Sequence, residues 1–154
     1  MPSVEGSSAR PSTTKGKILV GVQFLCAIAI LYPDVIARTW PGVALQVIAI
    51  ALGAWAIAAM RLPNLRILPE VKSHGELRTS GPYRVIRHPM YTAVLLYTNA
   101  QCIDHSSVFN WSMWCVLLVD LIIKLRYEEG MLRERFAGYA SYMKTTKRLV
   151  PWVV

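Results

Sequence analysis

Apolar and polar positions fall along this chain in long blocks, not in the short periods of a soluble helix or strand. The first apolar run covers residues 18–37. Lys15 and Lys17 stand before it, Asp34 lies near its end, and Pro33 marks where a helix kinks or stops. The second covers residues 43–60, opens after Pro41-Gly42, carries no charge and is closed by Arg61. At about 1.5 Å per residue, eighteen residues come close to the hydrocarbon thickness of a bilayer. The third covers residues 89–104, is interrupted near its end by Asn99 and Gln101, and is short for a span. The fourth covers residues 108–124, contains Asp120, and leads into a charged helical stretch reaching about Lys144. The four-residue turn Asp104-His105-Ser106-Ser107 makes the third and fourth runs an antiparallel helical hairpin. Residues 61–88 are polar and basic, with Pro63, Pro69, Gly75, Gly81 and Pro82, and read as a structured loop. Residues 1–14, rich in Ser, Pro and Thr, read as a disordered tail. The pattern predicts an all-α integral membrane protein with four transmembrane helices (18–37, 43–60, 89–104 and 108–124) in a single domain over residues 15–154.

Composition agrees with that pattern. Hydrophobic residues make up 54% and charged residues 17%, where a soluble domain carries about a quarter charged. The net charge of +8 does not signal a nucleic-acid surface, because the basic residues sit between the apolar runs. Three Lys/Arg lie before the first run, six between the second and third, and seven after the fourth, leaving Arg38 alone on the other side. Four spans then put both termini and the basic loop in the cytoplasm, in a bacterial-type inner membrane. No small-residue cleavage site follows the first run, so it reads as a span and not a signal peptide. Cys26, Cys102 and Cys115 form no C-x-x-C pair and are expected as buried free thiols, with no metal site.

Three stretches on the predicted cytoplasmic side carry candidate chemistry. The first is GPYRVIRHPMY, residues 81–91, where Pro89 suits a first helical turn and His88 sits beside a helix N-terminus that favours an anionic group. The plainer alternative is an interfacial His-Pro cap, with Tyr83 and Tyr91 as belt aromatics. The second is residues 120–136, where Asp120, Lys124 and Glu128 recur on one helix face. They read either as a tolerated Asp120–Lys124 pair or as one wall of a polar pocket in which Glu128 or Glu129 faces a cation. The third is Tyr139 and Tyr142 with Lys144, Lys147 and Arg148, read as an amphipathic segment on anionic headgroups.

The order T-S-G-P-Y-R-V-I-R-H-P-M-Y, an apolar hairpin, R-Y-E-E-x-x-L-x-x-x-F-x-x-Y-x-x-Y and a closing L-V-P resembles the isoprenylcysteine carboxyl methyltransferase family, and more loosely the phospholipid methyltransferases grouped with it. The resemblance covers roughly residues 40–152. It implies S-adenosylmethionine as methyl donor, held where the last helices meet the C-terminal segment. It implies cofactor contacts from Glu76, Leu77 and Arg78, from Tyr83, His88, Pro89 and Tyr91, and from Glu128 with Glu129 beside it. It places Lys124, with Arg126 nearby, where family members carry an arginine at the acceptor. Lysine keeps the charge but not the bidentate fork. The implied reaction is methyl transfer to a lipophilic or lipidated acceptor, first a carboxylate. The alternatives are a phospholipid or other amine, or a non-enzymatic membrane protein for binding or transport on the same scaffold. The residues fit the donor: Glu128, Tyr83 and Tyr91 suit a sulfonium, and Arg87, His88 and the helix N-terminus suit its carboxylate. Membrane lipids are expected partners, nucleic acid is not, and oligomeric state is unknown.

Overall fold

The computed structural model describes residues 14–32, 34–60, 77 and 79–149. Their regular structure consists of helices α1 (Thr14–Leu31), α2 (Trp40–Met60), α3 (Pro89–Asp104), α4 (Val108–Arg135) and α5 (Tyr139–Thr145), with a 3-10 turn at Gly81–Arg84 before α3. Residues 1–13 of the predicted tail, Pro33, and residues 61–76 of the basic loop lie outside the described residues.

Helix α1 stops at Leu31, short of the predicted end at residue 37, because the chain beyond it is held by side chains in an irregular connection. Arg38 grips both oxygens of Asp34, at 2.8 and 2.9 Å. Gln46 of α2 accepts from the Ala37 amide at 2.9 Å and donates to the Val35 carbonyl at 3.0 Å. Asp104, at the end of α3, accepts from the Arg38 and Thr39 amides at 2.8 and 2.7 Å. It thereby caps the start of α2 from a neighbouring element, satisfying donors that helix N-termini leave open. Close approach here requires a glycine: a Cβ on Gly42 would meet Ala37 Cβ at 2.8 Å.

Helix α2 lies along α3 and α1 along α4, and the α3–α4 hairpin joins the two pairs. Ser107 caps α4 by accepting from the Asn110 amide at 3.1 Å, and Asn110 ties back to the His105 carbonyl at 2.8 Å. Cys26 and Ile30 of α1, Leu95 and Cys102 of α3, and Leu117, Leu121 and Leu125 of α4 form the core. Outward positions are equally apolar, including Leu25, Ile28, Val47, Ile50, Phe109 and Val119. So large an apolar surface suits lipid and not water.

Among the described residues, three helices are long and apolar enough to cross a membrane: α1 with 18 residues, α2 with 21 and α4 with 28. Helix α3 matches its predicted bounds, but its 16 residues reach only about 24 Å, less than a bilayer core. The charged stretch after the fourth run is not one helix. Phe136 is extended, and α5 restarts after Gly138, which turns Tyr139 and Tyr142 inward. Of the thiols, Cys26 and Cys102 are buried as expected, whereas Cys115 is exposed on α4.

Gly81 opens the 3-10 turn with φ +60°, and a Cβ there would meet Ala59 Cβ at 2.9 Å. Left-handed backbone costs an ordinary residue about 1–2 kcal/mol before any clash. Gly81→Ala is therefore expected to lower the thermal midpoint in detergent by on the order of 5 °C. A midpoint within about a degree of wild type would mean that the α2–turn contact yields freely.

Candidate active site

The turn into α3 is held by the C-terminal segment. The Arg87 amide donates to the Lys147 carbonyl at 2.7 Å, the Lys147 amide to the Val85 carbonyl at 2.9 Å, and the His88 amide to the Arg148 carbonyl at 3.0 Å. These bonds form a short parallel bridge centred on Ile86 and Lys147. Thr92 Oγ1 donates to the Leu149 carbonyl at 2.6 Å, and the Tyr142 hydroxyl to the Tyr83 carbonyl at 2.5 Å. Pro89 starts α3 with φ already fixed and no amide to satisfy, and His88 stands at the N-cap with its ring free of capping duty.

That ring lies between two carboxylates of α4. His88 Nδ1 is 3.7 Å from Glu128 Oε2, and Nε2 is 3.6 Å from Glu129 Oε1. It stacks on Tyr91 with centroids 5.4 Å apart and planes 2° from parallel, and the Tyr91 hydroxyl donates to Glu128. The two acids have different surroundings. Glu129 is almost fully buried and accepts from Arg87 Nε at 2.8 Å and from Arg148 Nε at 3.2 Å. Arg87 also donates to the carbonyl and hydroxyl of Thr146 and to the Met143 carbonyl. Buried charges need such multiple partners to offset lost hydration. Glu128 keeps 19% of its side chain exposed and is the acid able to face a ligand.

One turn further into the membrane-directed part of α4, Lys124 is 2% exposed. Its ammonium lies 5.1 Å from the Tyr91 ring centroid and donates to Gln23 Oε1 of α1 at 2.8 Å. Asp120, another turn on, is buried, and its Oδ2 has no hydrogen-bond partner. Three more buried polar atoms around the cluster, His88 Nε2, the Tyr83 hydroxyl and the Tyr139 hydroxyl, also have none. Burial pushes Tyr83 up to about 12, with Tyr142 and Glu128 adding to the shift. Burial likewise pushes Tyr142 up to about 12 against the opposing Arg87 charge. Both phenols are neutral at physiological pH, so they can donate hydrogen bonds but not serve as phenolate bases.

This side-chain set is an ion-paired, mostly buried polar cluster, here called the chamber, at one end of an apolar bundle. A family model described as phospholipid methyltransferase matches residues 37–138, well over half of the 154-residue chain. The chain belongs to the phospholipid methyltransferase family. It is thus a membrane protein of a methyltransferase family, in the group that the motif order resembles. No curated protein matches the chain. The family match takes in the turn, α3 and α4, while α1 and α5 lie outside it.

Of the residues singled out in the sequence of this phospholipid methyltransferase family member, the fold brings Tyr83, His88, Pro89, Tyr91, Lys124, Glu128 and Glu129 to one place. Leu77 is half-buried, and Glu76 and Arg78 lie outside the described residues. Arg126 is exposed on α4, away from the buried face that carries Lys124 and Glu129. The C-terminal segment departs from the expected headgroup-binding surface. Tyr139 is 1% and Tyr142 9% exposed, and Arg148 turns toward Glu129. Gln23, Thr146 and the inward role of Arg148 are absent from the sequence reading. An amide in the middle of an apolar run is the one signal that pointed to Gln23.

Proposed function

We propose that this chain transfers a methyl group from S-adenosylmethionine to a lipophilic acceptor, and that the acceptor's reacting group is a carboxylate. The observation that carries the proposal is the meeting of Glu128, Tyr91 and His88 with Arg87, Arg148 and Lys124 in one chamber beside lipid-facing helices. The donor set fits the cofactor. A sulfonium needs an acid and aromatic faces, and Glu128, Tyr91 and Tyr83 offer them. The donor's carboxylate needs cationic or N–H groups, and Arg148 and His88 offer them. The hydroxyls of Tyr83 and Tyr139, buried without hydrogen-bond partners, suit a polar ligand. When bound, S-adenosylmethionine would supply an electrophilic methyl group.

The remaining chemistry falls to the chain itself. Glu129 fixes Arg87 and Arg148, and the strap of residues 146–149 fixes His88, so the site is preorganised. Lys124 holds an oxyanion of the acceptor at the membrane side of the chamber. A carboxylate has no proton to lose at neutral pH, so no general base is needed. Alignment and exclusion of water supply the rate. On this reading α3 is the fourth crossing, and the chamber faces the cytoplasm of a bacterial-type cell. The grouping of Lys15 beside Tyr127, near the basic turn and away from Arg38, supports that orientation.

The second reading is N-methylation of a phospholipid amine. The family match favours it, as does Asp120, whose unpartnered Oδ2 suits an ammonium. Mass-spectrometric assay of purified protein with S-adenosylmethionine separates the two. The expected result is a methyl ester on a prenylated cysteine with a free carboxylate and no product from phosphatidylethanolamine. Methylated phosphatidylethanolamine alone would establish the second reading, and no product from either lipid would remove the acceptor assignment.

A further inference from the structure

We infer that Tyr139 of α5, an element outside the family-matched stretch, is a binding residue of the chamber, and that its hydroxyl donates a hydrogen bond to the amino-acid carboxylate of the methyl donor. The inference rests on the methyl-transfer reading and deepens it by assigning a contact that the donor shares with its demethylated product.

Tyr139 is 1% exposed, yet its hydroxyl has no hydrogen-bond partner among the described residues. Phenylalanine would fill the same space without burying an unsatisfied donor, so packing alone does not account for the oxygen. The hydroxyl of the neighbouring Tyr142, whose ring centroid lies 5.8 Å away, is by contrast committed to the Tyr83 carbonyl. Local backbone turns Tyr139 inward. Phe136 is extended at φ −113° and ψ 110°, and the Tyr139 amide closes a turn onto the Phe136 carbonyl at 2.9 Å. Burial and the nearby Glu129 charge push the phenol above its ordinary range, so it stays protonated and can donate. Glu129 does not receive that bond, because its Oε1 accepts from Arg87 and its Oε2 from Arg148. Two guanidiniums against one carboxylate leave this corner with one positive charge in excess. A ligand carboxylate would balance that charge and accept from the phenol. A sulfonium cannot be the partner, since a cation does not accept a hydrogen bond. Ala137 and Gly138 are exposed, and a Cβ on Gly138 would meet nothing within 4 Å, so the turn carrying α5 has room to shift as a ligand seats.

The test compares wild type with Tyr139→Phe in detergent micelles, by titration with S-adenosylmethionine and with its demethylated product, and by thermal midpoint without ligand. Tyr139→Phe is expected to weaken both ligands alike, about tenfold, the loss of one charge-assisted hydrogen bond. Its ligand-free midpoint should stay within about a degree of wild type or rise, because the hydroxyl has no protein partner to lose. Methylthioadenosine, which lacks the amino-acid carboxylate, is the third ligand, read by displacement of the demethylated product. Its affinity should change by less than about twofold. Unchanged affinity for the first two ligands overturns the inference, and so does a loss confined to S-adenosylmethionine, which alone carries the sulfonium. An equal loss for methylthioadenosine overturns the carboxylate as partner. A lowered midpoint marks a structural hydroxyl and also overturns it. Should Tyr139→Phe not fold, fluorotyrosine placed at position 139 carries the test: its fluorine NMR signal should shift when the demethylated product binds, and an unmoved signal at saturation overturns the contact. Absence of donor binding in wild type instead removes the methyl-transfer reading itself.

Discussion

Glu129→Ala is expected to destabilise the protein by about 3–5 kcal/mol, the typical cost of stranding one member of a buried ion pair. Arg87 has a side chain only 7% exposed and is anchored by Thr146 and Met143, so it cannot swing into water. Arg148, 31% exposed, can do so and softens the loss slightly. For a chain of this size the thermal midpoint should fall by on the order of 10 °C. The paired replacement Arg87→Leu with Glu129→Leu should cost less than either single change, because it leaves no uncompensated charge. A Glu129→Ala midpoint close to wild type would mean that the pair contributes nothing to the strap.

Glu128→Gln is expected to act on ligand selectivity and not on stability. The side chain is partly exposed, and glutamine keeps an acceptor for the Tyr91 hydroxyl. It removes the charge that the proposed reading sets against a sulfonium. Affinity for S-adenosylmethionine should fall about tenfold or more, equivalent to about 1.4 kcal/mol or more. Affinity for the demethylated product, a neutral thioether, should change far less. An equal loss for both ligands would assign Glu128 to a part of the ligand that the two share. Paired titrations of the two ligands against the variant make the comparison.

Much of the fold was legible because the bilayer leaves a chain few choices. An uncharged run of eighteen residues has to be a helix, and α2 is one; a four-residue polar turn has to close a hairpin, and α3 and α4 form one. The end of α1 was legible only in part: Pro33 marks the stop that α1 makes at Leu31, but the apolar run to residue 37 hides the irregular connection, which Asp104 and Gln46 hold from α3 and α2. Nor was the break at Phe136 visible, since the charged pattern continues through it; burial of Tyr139 and Tyr142 against the turn decides it.

The candidate site was legible where chemistry and local geometry coincide. His88-Pro89 announces a helix start, and the adjacent acids Glu128 and Glu129 lie one helical step apart. What spacing could not divide was their labour. Adjacent acids look alike in sequence, yet one is committed to two arginines and the other, bonded to Tyr91, keeps 19% of its side chain exposed. Likewise Arg148 reads as one more basic residue in a headgroup-facing cluster until the parallel bridge at Lys147 turns it toward Glu129.

The central claim is that this chamber receives a methyl donor. Isothermal titration of the purified protein in detergent with S-adenosylmethionine tests it most directly. Saturable one-to-one binding in wild type, lost on His88→Ala, is the predicted result. No binding heat from a folded, monodisperse wild-type sample would contradict the account.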